Sequence, residues 1–285
     1  MIKAGLVVEG GGMRGVYSSG VLDFFIEKDL FFENNYGVSA GACHLCSYLA
    51  KQYKRAFRVN VDYLNDKRYC SMHSLLKTGN LFGAEMLYDI IPNELDLFDY
   101  DTYNKNESNF YVVITDINTG KPEYVKIGDL KKDIIYVRAS SSLPLLAQNV
   151  KINDKEYLDG GISDSIPIKK SIADGNKKNV VILTRDSTYR KGKNSLMPII
   201  KLKYKKYPNF VKSMADRYIV YNEILDFIKE LEDNGDVFVI RPKKPVNIGR
   251  TEKNREKLEA LYNDGYNDAK DCYEELLKYL GKENL

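Results

Sequence analysis

The tightest constraint on this chain is a pentapeptide with no room for bulk. Gly37-Val38-Ser39-Ala40-Gly41 joins the short apolar run Tyr36 to Val38 to a stretch, Ala40 to Tyr53, whose apolar residues recur as on a helix. A G-x-S-x-G between strand and helix is a sharp corner where the two elements pass close together, so the positions two before and two after the serine must be small. The serine takes a strained backbone there, and its hydroxyl stands above a helix N-terminus, where peptide dipoles favour negative charge. The plain alternative is a tight turn with an incidental serine; the strand before and the helix after weigh against it.

The flanking pattern repeats the same grammar. Ile2 to Val8 reads as a buried parallel strand, and the residues after Gly15 (Val16, Val21, Leu22, Phe24, Phe25, Ile26) carry helical spacing. Strand, loop, helix, strand, helix predicts an α/β fold with a mostly parallel sheet. Residues 55 to 108 are less periodic and predict helices and long loops. Strands are expected at Phe110 to Thr115, Tyr124 to Ile127, Asn179 to Thr184 and Val237 to Ile240. A hairpin joins Val150 to Ile152 and Glu156 to Leu158 around Asn153-Asp154-Lys155. A long amphipathic stretch covers about 210 to 231. The tail, 251 to 280, predicts a final helix interrupted at Gly265. No repeat or Pro/Gly/Ser-rich linker divides the 285 residues, which predicts one domain over 1 to 285, with the motifs in 3 to 185 and a strand and helices in 186 to 285.

Gly10-Gly11-Gly12-Met13-Arg14-Gly15 follows the first strand and opens a helix. It fits G-x-G-x-x-G, so a dinucleotide-binding oxidoreductase is the rival from another class. That fingerprint also wants a carboxylate closing the second strand. Asp29 falls at a helix end, Glu33 precedes the strand, and the second strand runs into Ser39 instead. A glycine turn at a helix N-terminus aims N–H groups at an anion, which is either a phosphate or the oxyanion of an acyl-transfer intermediate.

A serine nucleophile needs a base within reach. The chain has only two histidines, His44 and His73, and neither follows an acidic partner downstream of the serine as an α/β-hydrolase triad requires. His44 lies just over one helical turn past Ser39, pointing away from the exposed tip, and His73 falls in a segment without clear pattern. Asp159, in Leu158-Asp159-Gly160-Gly161, follows a strand and precedes a sharp glycine turn, and desolvation can lift a carboxylate towards the working range of a base. Asp116 and Asp154 also end strands and read better as solvated turn residues.

Cys43-x-x-Cys46 and Cys70-x-x-His73 are formally a zinc set, yet the first pair lies on an apolar helix and no knuckle glycine or proline flanks either. They read as packed thiols, and no metal is expected.

Together these segments resemble the patatin-like phospholipase family: a glycine-rich oxyanion loop (Gly10 to Gly15), the elbow (Gly37 to Gly41) and an Asp-Gly-Gly motif (Asp159, Gly160, Gly161), in the family's order. Ala139-Ser140-Ser141-Ser142-Leu143-Pro144 and Ile166-Pro167-Ile168 extend the likeness over roughly residues 3 to 185. The family often has Asp where this chain has Glu9, and Asn where it has Ser165. The resemblance implies a three-layer α/β/α sandwich and a Ser39–Asp159 dyad acting without histidine or cofactor. The N–H groups of Gly11, Gly12, Met13 and Ala40 would hold the oxyanion, Arg14 would either orient the glycine loop or sit as a surface charge at the helix start, and the substrates would be acyl esters of lipids. A regulatory protein that keeps the fold without catalysis is the third reading; intact Ser39, Asp159 and glycine loop argue against it.

The net charge of +3, from 43 basic against 40 acidic side chains, is too mild for a nucleic-acid partner. No apolar run approaches the roughly 18 residues of a membrane span, and the N-terminus lacks a secretory leader, so a cytoplasmic protein is expected. Lys201 to Tyr207 (KLKYKKY), with Arg190, Lys191 and Lys193 nearby, is basic and aromatic enough for peripheral contact with an anionic membrane, although such runs are more often solvated helix faces.

Overall fold

Apolar residues at both parities mark a strand buried on both faces, and Ile2–Val8 becomes such an inner strand, β1. The computed structural model describes residues 1–282. The other strands are β2 (Phe32–Val38), β3 (Asn109–Asp116), β4 (Pro122–Ile127), β5 (Val150–Ile152), β6 (Lys155–Asp159), β7 (Asn179–Ile182) and β8 (Val237–Ile240). They form one sheet in the order β5-β6-β3-β2-β1-β7-β8, with β4 also on β3. Pairing is parallel from β3 through β8 and antiparallel at β4, β5 and β6.

The helices are α1 (Val16–Glu27), α2 (Ala40–Leu49), α3 (Arg55–Val61), α4 (Met72–Thr78), α5 (Tyr100–Lys105), α6 (Leu130–Ser140), α7 (Ile168–Ala173), α8 (Met197–Lys203), α9 (Pro208–Asp233), α10 (Arg255–Asp271) and α11 (Tyr273–Leu280). Strand alternation sorts them into layers. Leu6, Val8, Val112, Ile114, Val180 and Ile182 pack with α1, α2, α6, α10 and α11. Val7, Tyr36 and Val181 pack with α7 and α9 on the other face. The result is the expected three-layer α/β/α sandwich.

Three boundaries differ most from the sequence reading. β2 starts at Phe32 rather than Tyr36, so Glu33 lies inside the strand. Its polar start is held by side chains across the sheet: Asn34 donates to Asn176 (2.8 Å), and Asn109 donates to Asn34 (2.9 Å). α2 ends at Leu49 rather than Tyr53. The C-terminal helix breaks at Cys272, not at Gly265. Gly265 is instead a contact glycine: a Cβ there would lie 2.0 Å from the Tyr17 carbonyl oxygen, and one on Gly20 would lie 2.1 Å from that of Tyr262. Facing glycines thus bring α1 and α10 together backbone to backbone, and Tyr17–Asp268 (2.9 Å) and Tyr262–Asp23 (2.8 Å) hydrogen bonds flank the crossing.

Within 55 to 108, a wide π-helical turn runs over Met86–Leu95 and contains Pro92, which has no N–H for a regular helical ladder. Among the described residues no helix is long and apolar enough to cross a membrane.

Candidate active site

The elbow is built as its glycines require. A Cβ on Gly37 would sit 2.6 Å from Ala42 Cα, and one on Gly41 would sit 2.4 Å from the Val8 carbonyl oxygen. Ser39 takes φ +54° and ψ −125°, a conformation that costs a non-glycine residue about 1–3 kcal/mol. Its amide donates to Ser140 Oγ (2.8 Å) and its carbonyl accepts from Cys43 N–H (3.2 Å), which helps hold the strained corner.

Asp159 reaches Ser39 through the register of β3. β2 pairs with β3 as far as Val38 opposite Val113, while β4 occupies the other edge up to Thr115. β6 therefore takes the edge that β2 vacates, and Asp159 stands opposite Ile114, one residue beyond. Gly160 permits this approach, since a Cβ there would meet the Val113 carbonyl oxygen at 2.0 Å. The Ser39 hydroxyl donates to Asp159 Oδ2 at 2.7 Å, and Gly161 N–H donates to Oδ1 at 2.8 Å.

Asp159 is buried, and desolvation pushes its pKa up; nearby Arg217, the two hydrogen bonds and Arg250 pull the other way. A carboxylate so placed can take the proton of a hydroxyl as that hydroxyl attacks.

The glycine loop lies against the serine: a Cβ on Gly10 would meet Ser39 Cβ at 2.8 Å. Gly12 has φ +57°, which glycine adopts at least cost, and a Cβ there would lie 2.6 Å from the Arg250 carbonyl oxygen. Among the described residues the N–H groups of Gly11, Gly12 and Ala40 have no acceptor within the protein. Met13 differs from the expectation, because its N–H donates to the Arg250 carbonyl (3.1 Å). Arg14 is buried, donates to the Ile248 carbonyl (3.4 Å) and lines the cavity in front of Ser39. Gly15 lets α1 pass α2, with Ala40 Cβ and His44 Nε2 each 2.8 Å from where its Cβ would be.

His44 is buried, its Nε2 has no partner, and desolvation lowers its pKa to about 4, so the ring is neutral. It makes no hydrogen bond to Ser39. His73 is exposed on α4, away from the residues that line the Ser39 cavity. Asp154 is exposed in the two-residue hairpin turn. Asp116 corrects the reading of a solvated turn: it is buried and accepts from the N–H of Asn118 (2.7 Å). Cys43, Cys46, Cys70 and Cys272 are free thiols. Among the described residues no group of three or more His, Cys, Asp or Glu side chains could hold a metal ion.

Where a dinucleotide enzyme would close its second strand with a carboxylate, β2 runs into Ser39, and Asp29 is paired with Lys51 at the surface. Glu9, which stands in for the family's common Asp, is buried. Its carboxylate accepts from Thr184 N–H (2.7 Å), Thr184 Oγ1 (3.0 Å) and Tyr221 OH (2.5 Å), tying the glycine loop to the segment after β7 and to α9. Ser165 donates to the Gly161 carbonyl (2.7 Å).

Two cavities meet at Ser39. One is polar and carries Arg14, Arg185, Lys191, Arg217 and Arg250. The other is mostly apolar, with Met13, Val59, Phe82, Leu87 and Leu143. Ser39, Gly12 and Leu143 border both. Arg217, Arg185 and Arg250 were not singled out by sequence reasoning, and Lys191 only as part of a basic surface run. Arg217 also donates to the Gly161 carbonyl beside Asp159.

A family model described as patatin-like phospholipase matches residues 6–171, more than half of the chain. A second, described as a domain of unknown function (DUF6363), matches 207–281. The uncharacterized protein YjjU of Escherichia coli (strain K12) is 28% identical over 261 residues, covering 86% of this chain and 70% of that one. The probable lipid hydrolase 463L of Invertebrate iridescent virus 6 is 25% identical over 215 residues, covering 65% and 71%. Among solved structures, VipD from Legionella pneumophila is similar at TM-score 0.47 and 11% identity, over 98% of this chain and 67% of that one.

Proposed function

The chain belongs to the patatin-like phospholipase family, and from that premise we propose that it is a serine hydrolase of lipid acyl esters, with Ser39 as nucleophile and Asp159 as base. The observation that carries this reading is the 2.7 Å hydrogen bond from the Ser39 hydroxyl to a buried carboxylate, at a strained corner where unpaired N–H groups gather.

In the proposed reaction Ser39 Oγ attacks the ester carbonyl carbon while its proton passes to Asp159. The carbonyl oxygen becomes an oxyanion held by the N–H groups of Gly11, Gly12 and Ala40. The intermediate collapses by breaking the bond to the leaving alcohol, which takes the proton from Asp159. Water then attacks the acyl-enzyme, giving its proton to Asp159, and collapse returns that proton to Ser39 Oγ with release of the fatty acid. No metal or cofactor is needed for these steps.

The mostly apolar cavity suits the acyl chain. Similarity to a viral protein described as a probable lipid hydrolase supports the same substrate class. The chain is further proposed to act as one unit over 1 to 285, because Arg217 and Arg250, both beyond the family match, border the cavity at Ser39. We further propose peripheral membrane contact through α8 and its flanks, where Leu196, Ile199 and Leu202 are exposed near Lys201, Lys205 and Lys206.

A fluorophosphonate probe and a panel of lipid esters test the reading. Labelling and hydrolysis by wild type, both abolished in Ser39→Ala, support it; hydrolysis that persists in Ser39→Ala sinks it.

A further inference from the structure

The polar cavity at Ser39 is overloaded with one sign of charge. Arg55, Arg58, Arg68, Arg190, Arg241 and Arg255 each have a carboxylate within 4.0 Å. Of the five with none among the described residues, Arg138 borders a different cavity, while Arg14, Arg185, Arg217 and Arg250 all border this one together with Lys191. They come from separate parts of the chain: the glycine loop, the segment after β7, α9 and the connection from β8 to α10.

The two carboxylates present, Glu9 and Asp159, offset only part of this charge, and neither lies within 4.0 Å of one of these cations. Glu9 is taken up by Thr184 and Tyr221, and Asp159 by Ser39 and Gly161, all neutral donors. Arg14 is 8% exposed, and its Nε has no partner. Like charges gathered in a partly desolvated cleft repel one another unless an anion joins them. Their repulsion shows in Lys191, whose pKa burial and the neighbouring Arg217 and Arg250 push down to about 7. The mostly apolar cavity on the other side of Ser39 leaves this chamber to the leaving alcohol.

We propose that the chamber binds a phosphate on the leaving alcohol, so that the preferred substrates are acyl esters of a phosphate-bearing alcohol with no cationic headgroup. The proposal rests on Ser39 as nucleophile and adds which lipid esters the site selects. Arginine forks and a lysine suit a phosphate's several acceptor oxygens. A choline headgroup would bring a further cation against this excess of positive charge. A neutral glycerol would leave the chamber uncompensated. Hydrolysis of such an ester releases the fatty acid and the alcohol phosphate, with the proton steps unchanged.

The test compares three esters with one acyl chain, each below its micellar concentration: 1-decanoylglycerol 3-phosphate, 1-decanoylglycerol and 1-decanoylglycerophosphocholine. The full chain should cleave the first with at least tenfold higher kcat/KM than either other. Lys191→Ala and Arg185→Ala should each shrink that ratio at least fivefold, mainly through KM, in protein whose circular dichroism matches wild type. Rates within threefold across the esters, or a preference for the choline or neutral ester, would overturn the proposal.

A binding arm separates this claim from the reaction itself. Glycerol 3-phosphate should bind Ser39→Ala in calorimetry, and Lys191→Ala in that background should weaken it several-fold. If no ester is cleaved and no probe labels Ser39, the hydrolase reading fails while this arm still decides the chamber. No binding of glycerol 3-phosphate overturns the chamber. Binding of inorganic phosphate without discrimination among the esters makes it an adventitious anion site and overturns the proposal as well.

Discussion

Ser39 and Asp159 are 120 positions apart and joined by a 2.7 Å hydrogen bond, in which the serine donates to the one carboxylate oxygen that Gly161 leaves free. The carboxylate is thereby aimed, with one oxygen fixed by the backbone and the other facing the hydroxyl. Removing its charge without changing its shape should separate base chemistry from packing. Asp159→Asn is expected to lower ester hydrolysis by about 10² or more, a usual general-base effect. His44→Ala and His73→Ala are expected to stay within about tenfold of wild type, since neither imidazole bonds to the serine. Initial rates on a short-chain p-nitrophenyl ester check both, and a loss in a folded histidine variant as large as that in Asp159→Asn would reassign the base.

The pH profile follows from the same carboxylate. Burial raises Asp159, Arg217 opposes that rise, and only the ionised form can accept a proton. Activity should therefore fall as pH drops through a limb lying above the ordinary Asp value of about 3.9. Arg217→Met removes the largest opposing cause, so the limb should move to higher pH. The kcat/KM profile on an uncharged ester reports the free enzyme. A limb that stays put or moves down in the variant would show that Arg217 does not tune the base.

What could be read from the chain were local patterns: the elbow glycines, the strand before Asp159 and the paucity of histidine. What escaped was set by distant packing. Nothing near Arg217 marks its position on α9 as facing Gly161, 56 residues earlier. Met13 belongs to a legible glycine loop, yet its N–H is taken by Arg250 from across the fold. The sequence pattern places the start of β2 four residues late because Glu33, Asn34 and Asn35 have poor strand propensity, and the partners that hold the asparagines, Asn109 and Asn176, come from elsewhere in the chain. Gly265 was visible as a glycine, but its purpose, a helix crossing, needed Tyr17 to be seen against it.

That crossing gives a stability prediction. Gly265→Ala puts a methyl group against a backbone carbonyl that cannot rotate away, and overpacking of this kind costs about 1–3 kcal/mol or more. Alanine favours an isolated helix over glycine by about 1 kcal/mol, so propensity alone would predict the opposite sign. Thermal unfolding decides between them, and a variant as stable as wild type would mean that α10 can slide on α1 at little cost.

Surface contact through α8 is testable without reference to catalysis. Leu202 is 73% exposed and Ile199 54%, too open to serve the core. The double change Leu202→Ser with Ile199→Ser should leave thermal unfolding unchanged and weaken sedimentation with vesicles rich in anionic lipid. Equal sedimentation of both proteins would remove α8 as the contact.

Asp23 supplies a pH dependence of stability whose sign can be worked out. It is buried on α1, accepting from Tyr262 OH (2.8 Å) and Lys54 N–H (3.0 Å), and desolvation outweighs these bonds to raise its pKa to about 6. Between about pH 4 and 6 the folded state therefore holds a proton that the unfolded state has released, so stability falls as pH rises through this window. The shift of about two units corresponds to about 3 kcal/mol, present below pH 4 and lost above pH 6. Asp23→Asn removes the ionisation but can keep only one of the two acceptor oxygens, a loss of about 1 kcal/mol. Relative to wild type the variant should then be less stable near pH 4 and more stable near pH 8, with the urea midpoints crossing between. Parallel midpoints across that range would mean that Asp23 is already ionised at pH 4, and that the bonds to Tyr262 and Lys54 outweigh its burial.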